Sequence, residues 1–181
     1  VAGPGATMVA HAGLAGSAEA DAQWPAEAVQ SQAELPQACD ADLALAAMRC
    51  AQMAGALEAV LALTLQHAQD RRQFGRPIGQ FQAIGQQVAV LAEDVFAARM
   101  AAALACRGEW PAAADVAAAQ VVTSEAAARA SGIAHAVHGA MGVTAEHDLH
   151  LHTRRLLAWR MQQGSEAHWA RRIGLVLWRD P

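Results

Sequence analysis

The sequence predicts an all-α fold, a helical bundle preceded by a short irregular or β segment. Hydrophobic residues, mostly Ala, make up 54% of the chain, and Leu, Glu, Gln and Arg accompany them; these residues favour helix. Aromatic residues make up only 4%, with no Tyr, which argues against a β-sandwich. From residue 42 onward, apolar residues recur at three- and four-residue steps, the spacing of a buried helix face.

The first forty residues differ from the rest. Gly3, Pro4, Gly5, Gly13, Gly16, Pro25 and Pro36 punctuate them. Residues 6–12 and 20–24 read as two short strands, too little for a sheet of their own. This segment is expected to be the tail of a domain whose body lies elsewhere, with a domain boundary between residues 1–40 and 41–181.

A first helix is expected over residues 42–70, with Leu43, Ala47, Cys50, Ala54, Leu57, Val60, Leu61 and Leu65 on its apolar stripe. Asp42 suits its N-cap or its first turn. Gly75, Pro77 and Gly79 break the pattern. A second helix is expected over 80–106, with Ile84, Val88, Leu91, Val95, Ala98 and Ala102 buried. A third, Ala-rich, runs over 111–138 and stops at Gly139 and Gly142. A short helix over 146–157 and a last one over 165–178 complete the chain. Long antiparallel helices with short breaks make a bundle.

Composition also limits function. The formal net charge is −4, so no basic field attracts nucleic acid. The pairs Arg71–Arg72, Arg154–Arg155 and Arg171–Arg172 can each serve a single phosphate or lie on a solvated helix face. Cys39, Cys50 and Cys106 are odd in number without CxxC spacing. They suggest neither a disulfide framework nor a zinc site, and a cytoplasmic location is expected. The apolar runs 53–57 and 59–65 are interrupted by Glu58, and neither reaches the length of a membrane span. The start has no basic n-region, and the missing initiator Met suggests part of a longer chain.

Two segments carry chemical information. Residues 71–82, Arg-Arg-Gln-Phe-Gly-Arg-Pro-Ile-Gly-Gln-Phe-Gln, fall between the first two helices. Arg71 can grip a pyrophosphate, Phe74 can pack on a flat ring, and Gln82 both donates and accepts. The same composition also suits an ordinary inter-helix turn. Residues 138–147, His-Gly-Ala-Met-Gly-Val-Thr-Ala-Glu-His, form a small-residue turn. Gly139 and Gly142 can let a ligand lie on the backbone, with a helix N-terminus following, or can simply cap the third helix. His147, His150 and His152, beside Glu146 and Asp148, raise a metal-binding alternative. The paired Glu-x-x-His motifs of bundle metal centres are missing, and no metal is expected.

Taken together, the two segments resemble the acyl-CoA dehydrogenase family over residues 41–179. That resemblance implies an up-and-down bundle of mainly four long helices, the C-terminal domain of a larger flavoenzyme. Residues 1–40 would be the remnant of its middle β-domain and linker. It implies FAD as cofactor and αβ-dehydrogenation of an acyl-CoA thioester. It also implies a homodimer or tetramer, with electron-transfer flavoprotein as acceptor. Arg71 matches the arginine that holds the flavin pyrophosphate in a neighbouring subunit, and Phe74 the aromatic near the adenine. Gln82 matches a glutamine seating the dinucleotide, and Gly139 a glycine at the adenosine end.

The resemblance also marks departures. The family's catalytic Glu stands in a Tyr-Glu-Gly-Thr pattern; the matching stretch here is 162–165, which puts Gln163 at the base position. The alternative position on the first helix is Leu45. An amide and an alkyl group cannot take a proton. Asp42 and Glu166, each about one turn away, are the remaining candidates, and both also suit helix first turns. Ala136 and Ala140 replace a glutamine and a second glycine of the adenosine-end pattern. The run Glu-His-Asp-Leu-His-Leu-His-Thr-Arg-Arg at 146–155 is similar to a subgroup that also lacks Tyr-Glu-Gly-Thr. Some of its members form hetero-oligomers in which one subunit has no base. A non-catalytic subunit or oligomerisation module is therefore the competing expectation.

Overall fold

The computed structural model of this chain describes residues 5–13, 15, 16, 18–28 and 40–179. Cys39 and the Pro36 linker lie outside them. The two N-terminal strands form, as β1 (Thr7–Ala12) and β2 (Ala18–Gln23). They pair with each other, antiparallel, with Thr7 opposite Gln23 and Ala12 opposite Ala18. Neither strand has a fully buried residue.

The bundle consists of α1 (Ala41–Asp70), α2 (Gln82–Ala105), α3 (Ala113–His138), α4 (Leu149–Gln162) and α5 (Glu166–Arg179). Asp40 is the N-cap of α1; its carboxylate accepts from the N–H groups of Asp42 and Leu43 at 3.0 and 3.1 Å. Asp42 is thus the first-turn acid of the two roles its position allowed. Most of the expected stripes are inside. Leu43, Cys50, Leu57, Val60, Leu91 and Val95 are buried, whereas Leu65 is exposed and Ile84 and Val88 are half-buried.

Two clusters make the core. In one, Met53, Leu57 and Val60 of α1 meet Leu91 and Val95 of α2, the alanines of α3, and Leu149 and Leu156 of α4. In the other, Leu43, Ala46, Ala47 and Cys50 meet Val116 and Trp169. The short helices α4 and α5 therefore serve different parts of one core. Ala126, Ala127, Ala130 and Ala134 are sealed along α3. Their small side chains allow close helix approach, so larger neighbours supply most of the apolar burial. Each buried Leu contributes about 1.5–3 kcal/mol.

Polar ties fix the alignment. The Gln120 Nε2 of α3 donates to the Ala46 carbonyl of α1 at 2.9 Å. Arg129 of α3 forks onto Asp94 of α2 with bonds of 3.1 and 2.6 Å. Asp94 is buried, so this guanidinium neutralises a carboxylate that could not otherwise remain inside.

Among the described residues, α1 alone is long and apolar enough by length and composition to cross a membrane, with a mean hydropathy of 1.3. Here the helix spends its apolar face on the bundle core.

The fourth helix differs from expectation. Residues 139–143 form a 3-10 turn, and α4 begins at Leu149, three residues later than the spacing suggested, and runs on to Gln162. Histidine side chains explain the late start. The Leu149 N–H donates to His147 Nδ1 at 3.1 Å, and His150 Nδ1 sits 2.7 Å from the His147 carbonyl. Local side-chain bonds of this kind compete with helix.

Candidate functional site: two ends of the bundle

The segment between α1 and α2 is a small hairpin rather than a plain turn. Its strands are β3 (Arg72–Gln73) and β4 (Arg76–Pro77), with Gln73 opposite Arg76. Phe74 and Gly75 form the two-residue tip with φ of 50° and 81°. That pair of positive angles is the type I′ turn, which ordinarily takes Asn or Asp before Gly. Phe74 is the one non-glycine with positive φ among the described residues. It is also 92% exposed, with Phe81 edge-on at 6.1 Å. Bulky residues are rarely held in this region, and such strain collects at functional sites.

Arg71 caps the end of α1 and is exposed; its N–H reaches the His67 carbonyl at 2.9 Å. No carboxylate pairs with its guanidinium among the described residues. The nearest acid in sequence, Asp70, accepts from Gln66. Arg76 instead lies over the Phe81 ring, 4.2 Å from its centroid. Gln82 opens α2 and is exposed. Beside the hairpin, a cleft of about 310 Å³ is lined by Leu65, Ala68, Pro77, Gly79, Gln80 and Val88. None of the four expected cofactor contacts lines it.

Gly139 ends α3 with φ 60° and ψ −141°, a conformation essentially restricted to glycine. Nothing lies within 4 Å of a Cβ placed there, so its backbone is open to a ligand. Gly142 behaves oppositely. It is buried, and a Cβ would meet His138 Cβ at 3.0 Å and His135 Nδ1 and Leu149 Cδ2 at 3.1 Å. Gly142 is a packing glycine, so of the two open roles of this turn the ligand surface is left to Gly139. The expected anion site at the following helix start is corrected: α4 begins at Leu149, whose N–H is taken by His147, behind Asp148.

The two motifs meet. His67, one turn before Arg71, stacks on His138, the neighbour of Gly139, with ring centroids 4.4 Å apart. Hence Arg71, Phe74 and Gly139 share one end of the bundle. His147 is edge-on to His138 at 4.8 Å. His147 is close to His150 and His152 in sequence, but the fold also sets its ring against those of His67 and His138. Burial is the main force lowering the pKa of His67 and of His138, and neighbouring imidazoles add to it. The clue was present at i, i+4 before Arg71, but only the crossing of α1 and α3 brings these rings together.

The two base positions lie elsewhere. Gln163 ends α4, and its carbonyl accepts from the Trp169 indole at 2.8 Å. Trp169 packs with Leu43, Ala46 and Ala47, residues on either side of Leu45. So Gln163 and Leu45 flank the same region, toward the start of α1. Leu45 itself is 50% exposed. Glu166 is in the first turn of α5, and one of its oxygens accepts from Nε and Nη2 of Arg160. Asp42 is exposed. Arg49, one turn beyond Leu45, was not singled out by the sequence. It lies 5.3 Å over Trp159 and its Nε is buried without a partner. Burial lowers its pKa, and the Glu19 charge on β2 opposes that shift.

Comparison with known proteins agrees with this architecture. A family model, the acyl-CoA dehydrogenase C-terminal domain, matches residues 43–176. The chain is 36% identical to acyl-CoA dehydrogenase IpdE2 of Mycobacterium tuberculosis over 136 residues, covering 75% of this chain and 42% of that protein. It is 35% identical to acyl-CoA dehydrogenase FadE27 of the same organism, covering 74% and 39%. Among solved structures, the ChsE4–ChsE5 complex of M. tuberculosis superposes with a TM-score of 0.77 at 28% identity, over 98% of this chain and 50% of that one. Butyryl-CoA dehydrogenase of Megasphaera elsdenii gives 0.72 at 27% identity, over 76% and 37%. The chain spans less than half the length of the curated relatives it matches. Signature, bundle and relatives converge: the chain belongs to the acyl-CoA dehydrogenase family and contains its C-terminal domain.

Proposed function

We propose that this chain supplies the helical, ADP-gripping part of an FAD-dependent acyl-CoA dehydrogenase that removes two hydrogens from an acyl-CoA thioester. The observation that carries the reading is Phe74: a bulky ring held at positive φ, 92% exposed, three residues after an arginine with no acidic partner among the described residues. Such a hairpin fits the adenine and pyrophosphate of a dinucleotide belonging to a neighbouring subunit. Arg71 neutralises phosphate charge, Phe74 covers a base, Gln82 hydrogen-bonds, and Gly139 leaves backbone open. FAD, when bound, accepts the hydride; the protein's task is to bind, orient and exclude water. The ring end of the flavin and the acyl pocket require the remaining domains. Residues 1–40 fit the end of the family's middle β-domain.

Neither base position of this chain holds a proton acceptor. Gln163 and Leu45 cannot serve, and Glu166 is held by Arg160. This supports a second reading, a subunit without its own base that assembles with a partner bearing one. The ChsE4–ChsE5 complex, a two-protein assembly, superposes on 98% of this chain and makes a hetero-oligomer as reasonable as a homodimer or tetramer. Electron-transfer flavoprotein as acceptor and a cytoplasmic location complete the proposal.

The test is the flavin content, native mass and acyl-CoA turnover of the longest gene product, with wild-type and Arg71→Ala chains. Loss of at least about tenfold in FAD affinity for Arg71→Ala, equivalent to 1.4 kcal/mol, is expected. Unchanged occupancy overturns the assignment of Arg71. Turnover by a homo-oligomer of this chain would instead refute the base-less subunit reading.

A further inference from the structure

The three imidazoles at the Arg71 end hold unused ligand chemistry. We propose that His67, His138 and His147 form a three-histidine site for a borderline divalent cation of the zinc class. One ring nitrogen from each lies within 4.8 Å of the other two. The residues come from α1, the end of α3 and the loop before α4, so the site exists only in the folded bundle.

His138 is the anchor. It is 5% exposed, and its Nδ1 lies 2.7 Å from the Ala134 carbonyl. A carbonyl only accepts, so the ring hydrogen is on Nδ1 and the Nε2 lone pair is free. That Nε2 is buried with no hydrogen-bond partner. A carbonyl-bound Nδ1–H with a bare Nε2 is the arrangement metal-binding histidines use. An unmet buried lone pair is otherwise rare.

The donor set selects the cation. Three neutral imidazoles without thiolate or carboxylate suit zinc, copper or nickel rather than magnesium or calcium. With zinc–nitrogen bonds of about 2.0–2.1 Å in a tetrahedron, ligand nitrogens stand about 3.4 Å apart. The ring nitrogens therefore need to close by up to about 1.4 Å, within reach of side-chain rotation at the half-buried His67 and His147. A fourth position stays open for water or an anion. In the metal-free chain His147 Nδ1 accepts the Leu149 N–H, which leaves its hydrogen on Nε2. Ligation through Nε2 moves that hydrogen to Nδ1 and releases the Leu149 amide.

None of the three ligands is itself an assigned cofactor contact, although His67 and His138 adjoin Arg71 and Gly139. The charged groups acting on the cluster from the elements around it are Asp70, Arg71 and His135. Ligands must be neutral, so affinity falls as pH drops through the histidine range.

The decisive experiment titrates ZnCl2 into the EDTA-treated full chain by calorimetry at pH 7.5, with CoCl2 absorbance as a geometry probe. One ion per chain, a raised melting temperature and a tetrahedral cobalt spectrum are expected. His67→Gln and His138→Gln should each weaken affinity at least tenfold, and the His150→Gln/His152→Gln double variant should leave it unchanged. Were His138→Gln to unfold, judged by circular dichroism, His67→Gln alone decides. No saturable binding, or binding lost in the double variant and kept in His67→Gln, overturns the site. In the first case the rings only pack against one another, and in the second the metal sits on surface histidines.

Discussion

Arg160 closes on Glu166 across the turn between α4 and α5, its Nε donating to the carboxylate at 2.8 Å. Both side chains are about three-quarters covered, at 24% and 26% exposure. The pair fastens the loop that carries Gln163 and Gly164. It also gives Glu166 a structural task, which weakens its candidacy as the proton acceptor. Glu166→Gln should lower stability by about 1 kcal/mol, within the range for partly covered charge-assisted pairs. Urea unfolding should show the midpoint falling with the slope unchanged. In the assembled enzyme, turnover should stay within about twofold, far less than the loss expected for a true general base. A loss beyond a hundredfold with intact flavin would make Glu166 the base.

Phe74 sits where Asn is favoured. Phe74→Asn converts the hairpin tip to the preferred Asn-Gly pair and relieves left-handed strain of about 1 kcal/mol. Thermal unfolding should therefore show equal or greater stability, while flavin affinity in the full protein declines. A destabilised variant would mean that Phe74 packs on the chain itself rather than awaiting a ligand.

The two glycines should respond differently. Gly142→Ala forces a methyl within 3.0–3.1 Å of three neighbours and should destabilise by about 1–3 kcal/mol. Gly139→Ala has open space but φ 60°, so backbone strain of about 1–3 kcal/mol is expected together with loss of the open backbone. Denaturation midpoints should fall for both. In flavin titrations normalised to folded protein, only Gly139→Ala should lose affinity.

Acid should weaken the bundle. His67, His135 and His138 all have pKa values lowered from 6.5, with burial the leading cause. The unfolded chain then binds protons more readily than the folded one. Their contribution is full above about pH 6.5 and declines as pH falls below it, toward the lower folded-state values. Urea midpoints measured at pH 7.5 and 5.5 should show this drop, and His138→Gln should reduce it. A flat profile would show the rings titrating normally.

The sequence by itself determined the five helices and the two N-terminal strands. Three- and four-residue apolar spacing is local information, and Ala enrichment adds helix propensity in α1, α2 and α3. It also marked Arg71, Phe74 and Gly139, because the residues of their motifs are contiguous. It misplaced the start of α4, where His147 and His150 bond to the local backbone and delay the helix until Leu149. Only tertiary structure decided what depends on distant segments meeting. Gly142 became packing rather than ligand surface because α3 and α4 close on it. Asp94 could be buried because Arg129 arrives from another helix. His67 and His138, 71 positions apart in the sequence, stack because α1 and α3 end together. Helical periodicity records which face of a helix is buried, but it does not record which residue of another helix will stand against it.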